Sequence, residues 1–466
     1  MSAGERSGPR GLLQSGASSA ALFVAVVLAP SAADAGGYML PVHGVRALSV
    51  GGAYVVGAEG ADALWYNPAR LFGTSVSVEA ALITLGASYT GNGATVENEA
   101  SPVPNPTLGG TFQIGDRLSL GLGAFAPWGA QYKFPETGPQ RYSLVDSSAS
   151  TFLVLEAAAA LRIGDHLRLG AGLQNVIAHV RQILVLSGYT GLFGYPDDPS
   201  LDVVNEIELS DAFTPSANLG VSYDVGPVTL GLAVQLPYTV AGDADFRARL
   251  PSSVFFDPTE ISGDKAYMEI DFPLMARLGC RWQIVDEVAV EVAAGYENWS
   301  VQDSIVSDTQ GRVKLTDVPG IGDYVMKKIT IDRRMKDTLS FHLGGDAEVI
   351  ERLHVRAGFF YEPSSFGDET YSVSLLDDDK LGLGFGVSWS VGPIRFDFGA
   401  AKVFQGTRVV ANSELRQINP TNPDQAIVVG NGTYETGFFV VGLGVAFIPG
   451  LDEEEPKNEP KAKKSG

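Results

Sequence analysis

The chain has 466 residues, with 33 Lys and Arg against 54 Asp and Glu, a formal charge of −21 and a hydrophobic fraction of 45%. Such an acidic balance argues against nucleic acid as a partner, because neutralising phosphates takes clustered Lys and Arg, and the apolar content argues against general disorder. The length allows roughly three soluble domains or one large barrel, and the lone Cys280 excludes an intrachain disulfide and reads as a small strand residue rather than a reactive thiol.

The first 35 residues read as an export signal. Arg6 and Arg10 precede the apolar stretch Ala20 to Ala29, and Ala33-Asp34-Ala35 supplies an Ala-x-Ala cleavage site. Cleavage is expected after Ala35. A membrane anchor is the competing reading, but the apolar run falls far short of the roughly 20 residues that a spanning helix needs. Residues 36–72 follow as a small segment rich in Gly and Ala, without sustained alternation.

From 73 to 447 the chain carries fourteen strand candidates, near 74–90, 107–115, 117–127, 151–163, 166–184, 211–225, 227–241, 267–284, 287–301, 338–350, 353–364, 380–391, 393–405 and 434–447. Tight turns join alternate pairs, at Ile114-Gly115-Asp116, Ile163-Gly164-Asp165, Val225-Gly226-Pro227, Val285-Asp286-Glu287, Ile350-Glu351-Arg352 and Val391-Gly392-Pro393. The other connections are long and polar, near 91–106, 128–150, 185–210, 242–266, 302–337, 365–379 and 406–433. Short turns on one side and long loops on the other predict an all-β fold, a transmembrane antiparallel β-barrel of the outer-membrane type, with the turns periplasmic and the loops extracellular. Alternation supports it. Leu381, Leu383, Phe385, Val387 and Trp389 interleave with Gly382, Gly384, Gly386 and Ser388, which suits one face for lipid and one for a lumen. A soluble sheet with one buried face is the alternative, but its strands average about five or six residues. Residues 448–466, with Asp452-Glu453-Glu454-Glu455-Pro456, read as a charged disordered tail.

Four elements of the 36–72 segment stand in a telling order: Gly37-Tyr38, then Gly51-Gly52-Ala53-Tyr54, then Glu59-Gly60-Ala61-Asp62-Ala63, then Asn67-Pro68-Ala69 just before the first strand. In this order they resemble the N-terminal segment of the FadL/TodX family, outer-membrane transporters of long-chain fatty acids and other hydrophobic compounds. Gly121 to Gly129, Tyr296-Glu297-Asn298-Trp299-Ser300 and Arg356 to Pro363 look like later parts of the family pattern, so the resemblance covers most of the mature chain. It implies a fourteen-stranded barrel with residues 36–72 as a hatch inside it, capture of substrate on the outer loops, an internal apolar pocket near Tyr38, and lateral release at a kink in the third strand. It also implies no cofactor; the partners would be a hydrophobic small molecule, outer-membrane lipid and the barrel-assembly machinery, and the chain would be a monomer. The charged tail and the short loop near 187–210 depart from the family pattern.

The residues themselves support particular roles. Pro127, with Trp128 and Gly129, breaks a strand that has no free edge, which makes a candidate lateral gate; alternatively the third strand simply ends at Ala126. Tyr38 is a candidate pocket residue, the alternative being a surface terminus. Phe125, Trp299, Phe360 and Phe438 are candidate inward aromatics for substrate, unless the register is off by one and they face lipid. Leu192, Phe193 and Tyr195, with Val254, Phe255 and Phe256, form apolar clusters in the outer loops. These suit a first, loose site for hydrophobic ligands or loop packing. Arg46 and Arg141 are candidate partners for a substrate carboxylate. Asp377-Asp378-Asp379 reads as a solvated loop or, less readily, a Ca²⁺ site.

Enzyme signals are poor. His43, His166, His179, His342 and His354 are scattered singly, no His pair has metal-ligand spacing, and no Gly-x-Ser-x-Gly elbow occurs. A passive transporter of hydrophobic molecules is therefore expected, against two competitors. A diffusion porin for polar solutes needs an open lumen without a hatch; an outer-membrane lipid hydrolase needs a Ser–His pair on facing strands.

Overall fold

The computed structural model describes residues 42–127 and 131–451, all within the compact unit Asp34–Gly466. The export signal, Tyr38, Trp128, Gly129 and most of the acidic tail lie outside the described residues.

Fourteen antiparallel strands close a ring. In chain order they are β1 (Ser75–Gly91), β2 (Val103–Ile114), β3 (Leu118–Phe125), β4 (Thr151–Ile163), β5 (Leu167–Ser187), β6 (Asp202–Val225), β7 (Val228–Gln235), β8 (Met275–Val285), β9 (Val288–Glu297), β10 (Thr338–Ile350), β11 (Leu353–Glu362), β12 (Lys380–Val391), β13 (Ile394–Val410) and β14 (Gly432–Phe447). Each pairs with its sequence neighbour, and β14 returns to β1 in a register running from Val76↔Phe447 to Thr90↔Thr433. Closure removes the sheet edge, which lipid does not tolerate because it offers backbone groups no hydrogen-bond partner. The tight turns sit where expected: Gly115, Gly164, Gly226 and Gly392 take φ of 58°, 61°, 59° and 56°, a left-handed conformation that glycine adopts without steric cost.

Alternation sorts the side chains. Leu381, Leu383, Phe385, Trp389, Phe396 and Phe398 are exposed on the outer face, as a lipid contact requires. Phe125, Phe360 and Phe438 point the other way and are buried, which fixes the register question for them. Gly384 and Gly358 face the lumen because hatch backbone lies directly on them: a Cβ at Gly384 would collide with the Leu48 carbonyl, and one at Gly358 with Val50. The Leu-x-Gly rhythm of β12 is thus lipid contact on one face and close backbone approach on the other.

The hatch holds two short helices, α1 (Val45–Ser49) and α2 (Asp62–Tyr66). Wall side chains pin its backbone. Glu291 on β9 accepts bonds from the amides of Val56 and Gly57 at 2.8 and 2.7 Å. Asn218 on β6 donates to the Leu64 carbonyl at 2.7 Å, Ser119 on β3 to that of Leu71 at 2.7 Å, and Glu79 on β1 accepts from Val45 N at 2.7 Å. Asn67, fully buried, caps the turn at Pro68–Arg70 through Ala69 N and donates to Val221 O on β6. The Asn-Pro-Ala motif is therefore a joint between hatch and wall.

The long connections are more ordered than the sequence suggests. β5 reaches Ser187 and β6 starts at Asp202, so the loop read at 185–210 shortens to 188–201. Strands Tyr238–Arg249, Lys265–Phe272, Ser304–Asp308 and Lys328–Asp332 extend the sheet from the upper part of β6 into the stretches read as loops at 242–266 and 302–337. Their faces are apolar and packed, with Val240, Phe246, Met268, Ile270, Ile305 and Ile329 buried. The acidic run at 377–379 is not a solvated loop either. Asp377 and Asp378 are buried; Asp377 holds Lys380 and Ser365, and Asp378 pairs with Arg408 at 3.3 Å. Among the described residues no group of His, Cys, Asp and Glu is arranged to hold a metal.

Candidate functional site

The lumen between hatch and outer loops is filled with apolar side chains. Trp65 of α2 meets Phe125 at the end of β3 edge-on, with centroids 5.7 Å apart, and His43 lies 5.5 Å from the same ring. Burial holds the His43 imidazole down at about 4, so it is neutral at physiological pH. Across the lumen Phe152 on β4 meets Phe272 at 5.4 Å, and Phe272 stacks on Tyr238 at 4.8 Å. Phe125 and Trp299 belong to this large cluster, whereas Phe360 and Phe438 sit in a smaller one around Leu48, Ile83, Val403 and Val440. The four aromatics singled out in the sequence thus form two groups rather than one. Trp299 also lies past the end of β9, in the turn Trp299–Val301, with its indole N–H held by Glu297 at 2.5 Å.

Sequence reasoning passed over Trp65, Phe152, Tyr238 and Phe272. Phe152 follows the alternation of β4 and was legible; Phe272 falls within the single strand read at 267–284, which the structure divides into Lys265–Phe272 and β8. Beneath the cluster, between hatch and wall, a cavity of about 30 Å³ is lined by Trp65, Tyr66, Met275, Arg277, Glu297 and His342. That is space for a water or two, so a hydrophobic ligand at this level needs side chains or the hatch to shift.

The wall is interrupted at the end of β3. This strand stops at Phe125, paired with Thr107 and Val154. Its neighbours run on: β2 to Val103, still paired with β1, and β4 to Thr151, still paired with β5. Among the described residues β3 thus leaves Val103–Pro106 and Thr151–Leu153 without a strand between them. Pro127 lies beyond the strand end rather than inside the strand, so it terminates pairing instead of kinking a continuous ladder. Pro104 and Pro106 of β2 have no N–H to leave unpaired along this edge, and the Asn105 amide caps the Ala126 carbonyl at 2.7 Å. Farther out the wall is bridged again by 132–134 and 145–147: Glu99 N bonds Lys133 O, and Phe134 N bonds Val145 O, both at 2.8 Å. A groove of about 790 Å³ on the outer face, lined by Leu108, Leu122, Leu155, Leu173 and Phe213, reaches Ala124 beside the break.

In the outer loops Phe193 meets Phe255 at 4.0 Å and Phe256 at 6.5 Å. Leu192, Tyr195, Val254 and Phe255 are exposed, but Phe256 is buried, so it packs the loop rather than offering a surface. Arg46 and Arg141 are already committed. Arg46 pairs with Glu59 at 3.0 Å and Asp62 at 3.3 Å, Arg141 with Asp202 at 2.7 Å, so neither is free for a substrate carboxylate. One serine and histidine do meet on facing strands: His179 Nδ1 lies 3.0 Å from Ser210 Oγ across β5 and β6, with Glu208 3.8 Å from Nε2. Ser210 is exposed, so water competes for its hydroxyl.

Comparison with known proteins agrees with this architecture. The model of the outer membrane protein transport family OMPP1/FadL/TodX matches residues 26–434. An outer membrane protein of Neisseria meningitidis serogroup B is 25% identical over 138 residues, 26% of this chain and 29% of the relative, so the alignment spans under a third of that relative. Among solved structures, a FadL homologue of Pseudomonas aeruginosa superposes with a TM-score of 0.72 at 16% identity, covering 89% of this chain and 100% of the other. The toluene transporter TodX of P. putida gives 0.62 at 15% identity over 88% and 99%, and the toluene transporter TbuX of Ralstonia pickettii gives 0.57 at 18% over 88% and 99%. At such identities the superpositions speak for the fold, and the family model, spanning most of the chain, speaks for descent: this chain belongs to the OMPP1/FadL/TodX family and is a β-barrel of the bacterial outer membrane.

Proposed function

We propose that this protein is a passive channel, not an enzyme, that takes up hydrophobic small molecules, fatty acids or hydrocarbons, through the apolar lumen and releases them sideways into the membrane at the end of β3. The observation that carries this reading is the aromatic cluster of Trp65, Phe125, Phe152 and Phe272, which runs to the strand end where pairing stops. A polar solute gains nothing from such a lining, whereas each buried methylene of an alkyl chain contributes about 0.8 kcal/mol. In this reading Phe125, Trp299, Phe360 and Phe438 contact substrate in the lumen. Tyr38 completes the pocket from the hatch, and Phe193 and Phe255 take up substrate at the outer surface, with Phe256 supporting them from beneath. Pro127, Trp128 and Gly129 keep the wall open. The pinned hatch disfavours a straight path to the periplasm.

The test is an affinity series. Binding of a homologous set of alkyl ligands to the purified protein should tighten with chain length until the pocket is full; flat affinity counts against the reading. A large, steady conductance in a planar bilayer would favour a porin instead. Release of free acid from a lipid ester, abolished by Ser210→Ala, would favour a hydrolase built on His179 and Ser210.

A further inference from the structure

Strand Lys328–Asp332, in the long connection before β10, pairs with Ser304–Asp308 on one side and, among the described residues, with no strand on the other. The Arg333 amide donates to the Asp303 carbonyl at 2.8 Å, which sets the phase of the ladder. Ile329, Ile331 and Arg333 bond across to the neighbouring strand, so Lys328, Thr330 and Asp332 turn their amides and carbonyls the other way. None of these main-chain groups has a partner among the described residues. The side chains alternate as well: Lys328, Thr330 and Asp332 are exposed, and Ile329 is buried.

The open edge runs along a groove of about 690 Å³ among the outer loops, lined by every residue from Lys327 to Asp332 and by 414–420. The second stretch is extended too. Leu415 O accepts from Val429 N at 3.0 Å and Gln417 N donates to Ile427 O at 2.9 Å, so Arg416 turns its amide and carbonyl away from that pair. The floor is apolar, with Leu184, Met326 and Ile329 buried and Ile418 half-buried. The rim carries Lys327, Lys328 and Arg416 against Asp332 and Glu414, and Glu414 is already paired with Arg334 at 2.9 Å.

We propose that this edge docks one extended segment of a protein outside the cell, which adds a strand to Lys328–Asp332. A row of unpaired amides and carbonyls is a template for a further strand. Alternation sets the chemistry of that segment: apolar side chains over the floor, polar ones at the rim, and a carboxylate opposite Lys328. An alkyl ligand can fill the floor, but it cannot answer main-chain donors and acceptors. The inference is independent of the channel reading.

The probe is the peptide acetyl-Lys-Val-Thr-Val-Glu-amide, added to the purified full chain in non-ionic detergent. In an antiparallel ladder it sets its Glu against Lys328 and its Lys against Asp332. At about ten times its Kd, hydrogen exchange at the amides of Lys328, Thr330 and Asp332 should slow by about tenfold, while Ile329 and Ile331 hardly change. Methylating the peptide's Thr nitrogen removes one ladder donor and leaves every side chain in place; affinity should fall by about fivefold or more, the usual worth of one hydrogen bond. Thr330→Pro removes the central donor on the protein side and should weaken binding likewise. The barrel should still assemble, because that amide is unbonded at an edge; if it does not, the exchange and methylation measurements on wild type decide. No slowing at the three amides, or equal affinity for the methylated peptide, overturns the proposal and leaves the channel reading standing. Protection without peptide, together with a dimer in sedimentation, would mean that a second copy covers the edge, and equal protection by dodecanol would give the groove to an alkyl ligand; either overturns it.

Discussion

At the scale of single residues, hydrogen bonds to backbone and to carboxylates decide more than hydrophobicity does. Asp337, just before β10, accepts bonds from Tyr296 Oη, Asn298 Nδ2 and Ser300 N at 2.7, 2.8 and 2.9 Å. Burial pushes its carboxyl up, but these donors outweigh it and hold the group at about 2. Because the folded value lies below the ordinary one, the stabilisation is present above about pH 4 and is lost as pH falls through about 2. The difference in melting temperature between wild type and Asp337→Ala should therefore be constant from pH 7 to 5 and shrink as pH drops from 4 to 2. A difference that does not change over that range would refute the assignment. Glu291 makes a second residue-scale prediction. Replacing it with Ala strands the buried amides of Val56 and Gly57, at about 1–3 kcal/mol each. Hydrogen exchange at those two amides should speed by tenfold or more while β9 itself stays protected, and unchanged exchange would mean that the hatch is held by packing alone.

At the scale of elements, the short β3 is the feature with functional weight. Eight residues long, it leaves Val103–Pro106 of β2 and Thr151–Leu153 of β4 without a strand between them among the described residues. Replacing Ala126-Pro127-Trp128-Gly129 with an alternating Thr-Val sequence should let the strand continue and close the wall. The barrel should still assemble, because the remaining pairings are untouched. Uptake of a hydrophobic substrate, measured in cells with matched surface levels, should then fall by about tenfold or more, the order expected when a route is removed rather than narrowed. Undiminished uptake would point to passage through the hatch. The break was partly legible, since Pro127 and Gly129 are poor strand residues; the role of Pro104 and Pro106 on the facing edge was not, because it depends on which neighbour is missing.

At the scale of the whole molecule, barrel, hatch and extended loops divide the work. The hatch brings Trp65 and His43 to the lumen and is held by β1, β3, β6 and β9 together. For the export reading, intact mass of the protein extracted from outer membranes should correspond to a chain starting at Gly36. A start well beyond Tyr38 would remove the proposed pocket aromatic along with the leader.

Sequence alone was sufficient for the barrel, its fourteen strands and its short-turn side, because a period of two and a turn chemistry are local properties that each strand carries by itself; it left the inward direction of Phe125, Phe360 and Phe438 open to a one-residue slip of register, which the structure resolves. It was also sufficient to place Asn67-Pro68-Ala69 just before the first strand, with the hatch implied by the resemblance; its bond to β6 appears only in the structure. It could not decide which charges are spent. Arg46 and Arg141 looked available and are bound by Glu59, Asp62 and Asp202; Asp377 and Asp378 looked solvated and are buried against Lys380 and Arg408. Nor could it show that the long loops continue the sheet. Ion pairing and loop packing depend on groups far apart in the chain arriving at one place, Arg141 and Asp202 from either side of β4 and β5, Arg333 and Ser374 from either side of β10 and β11. Only tertiary structure sets those distances, because each pair is joined across strands that lie between its members in the chain.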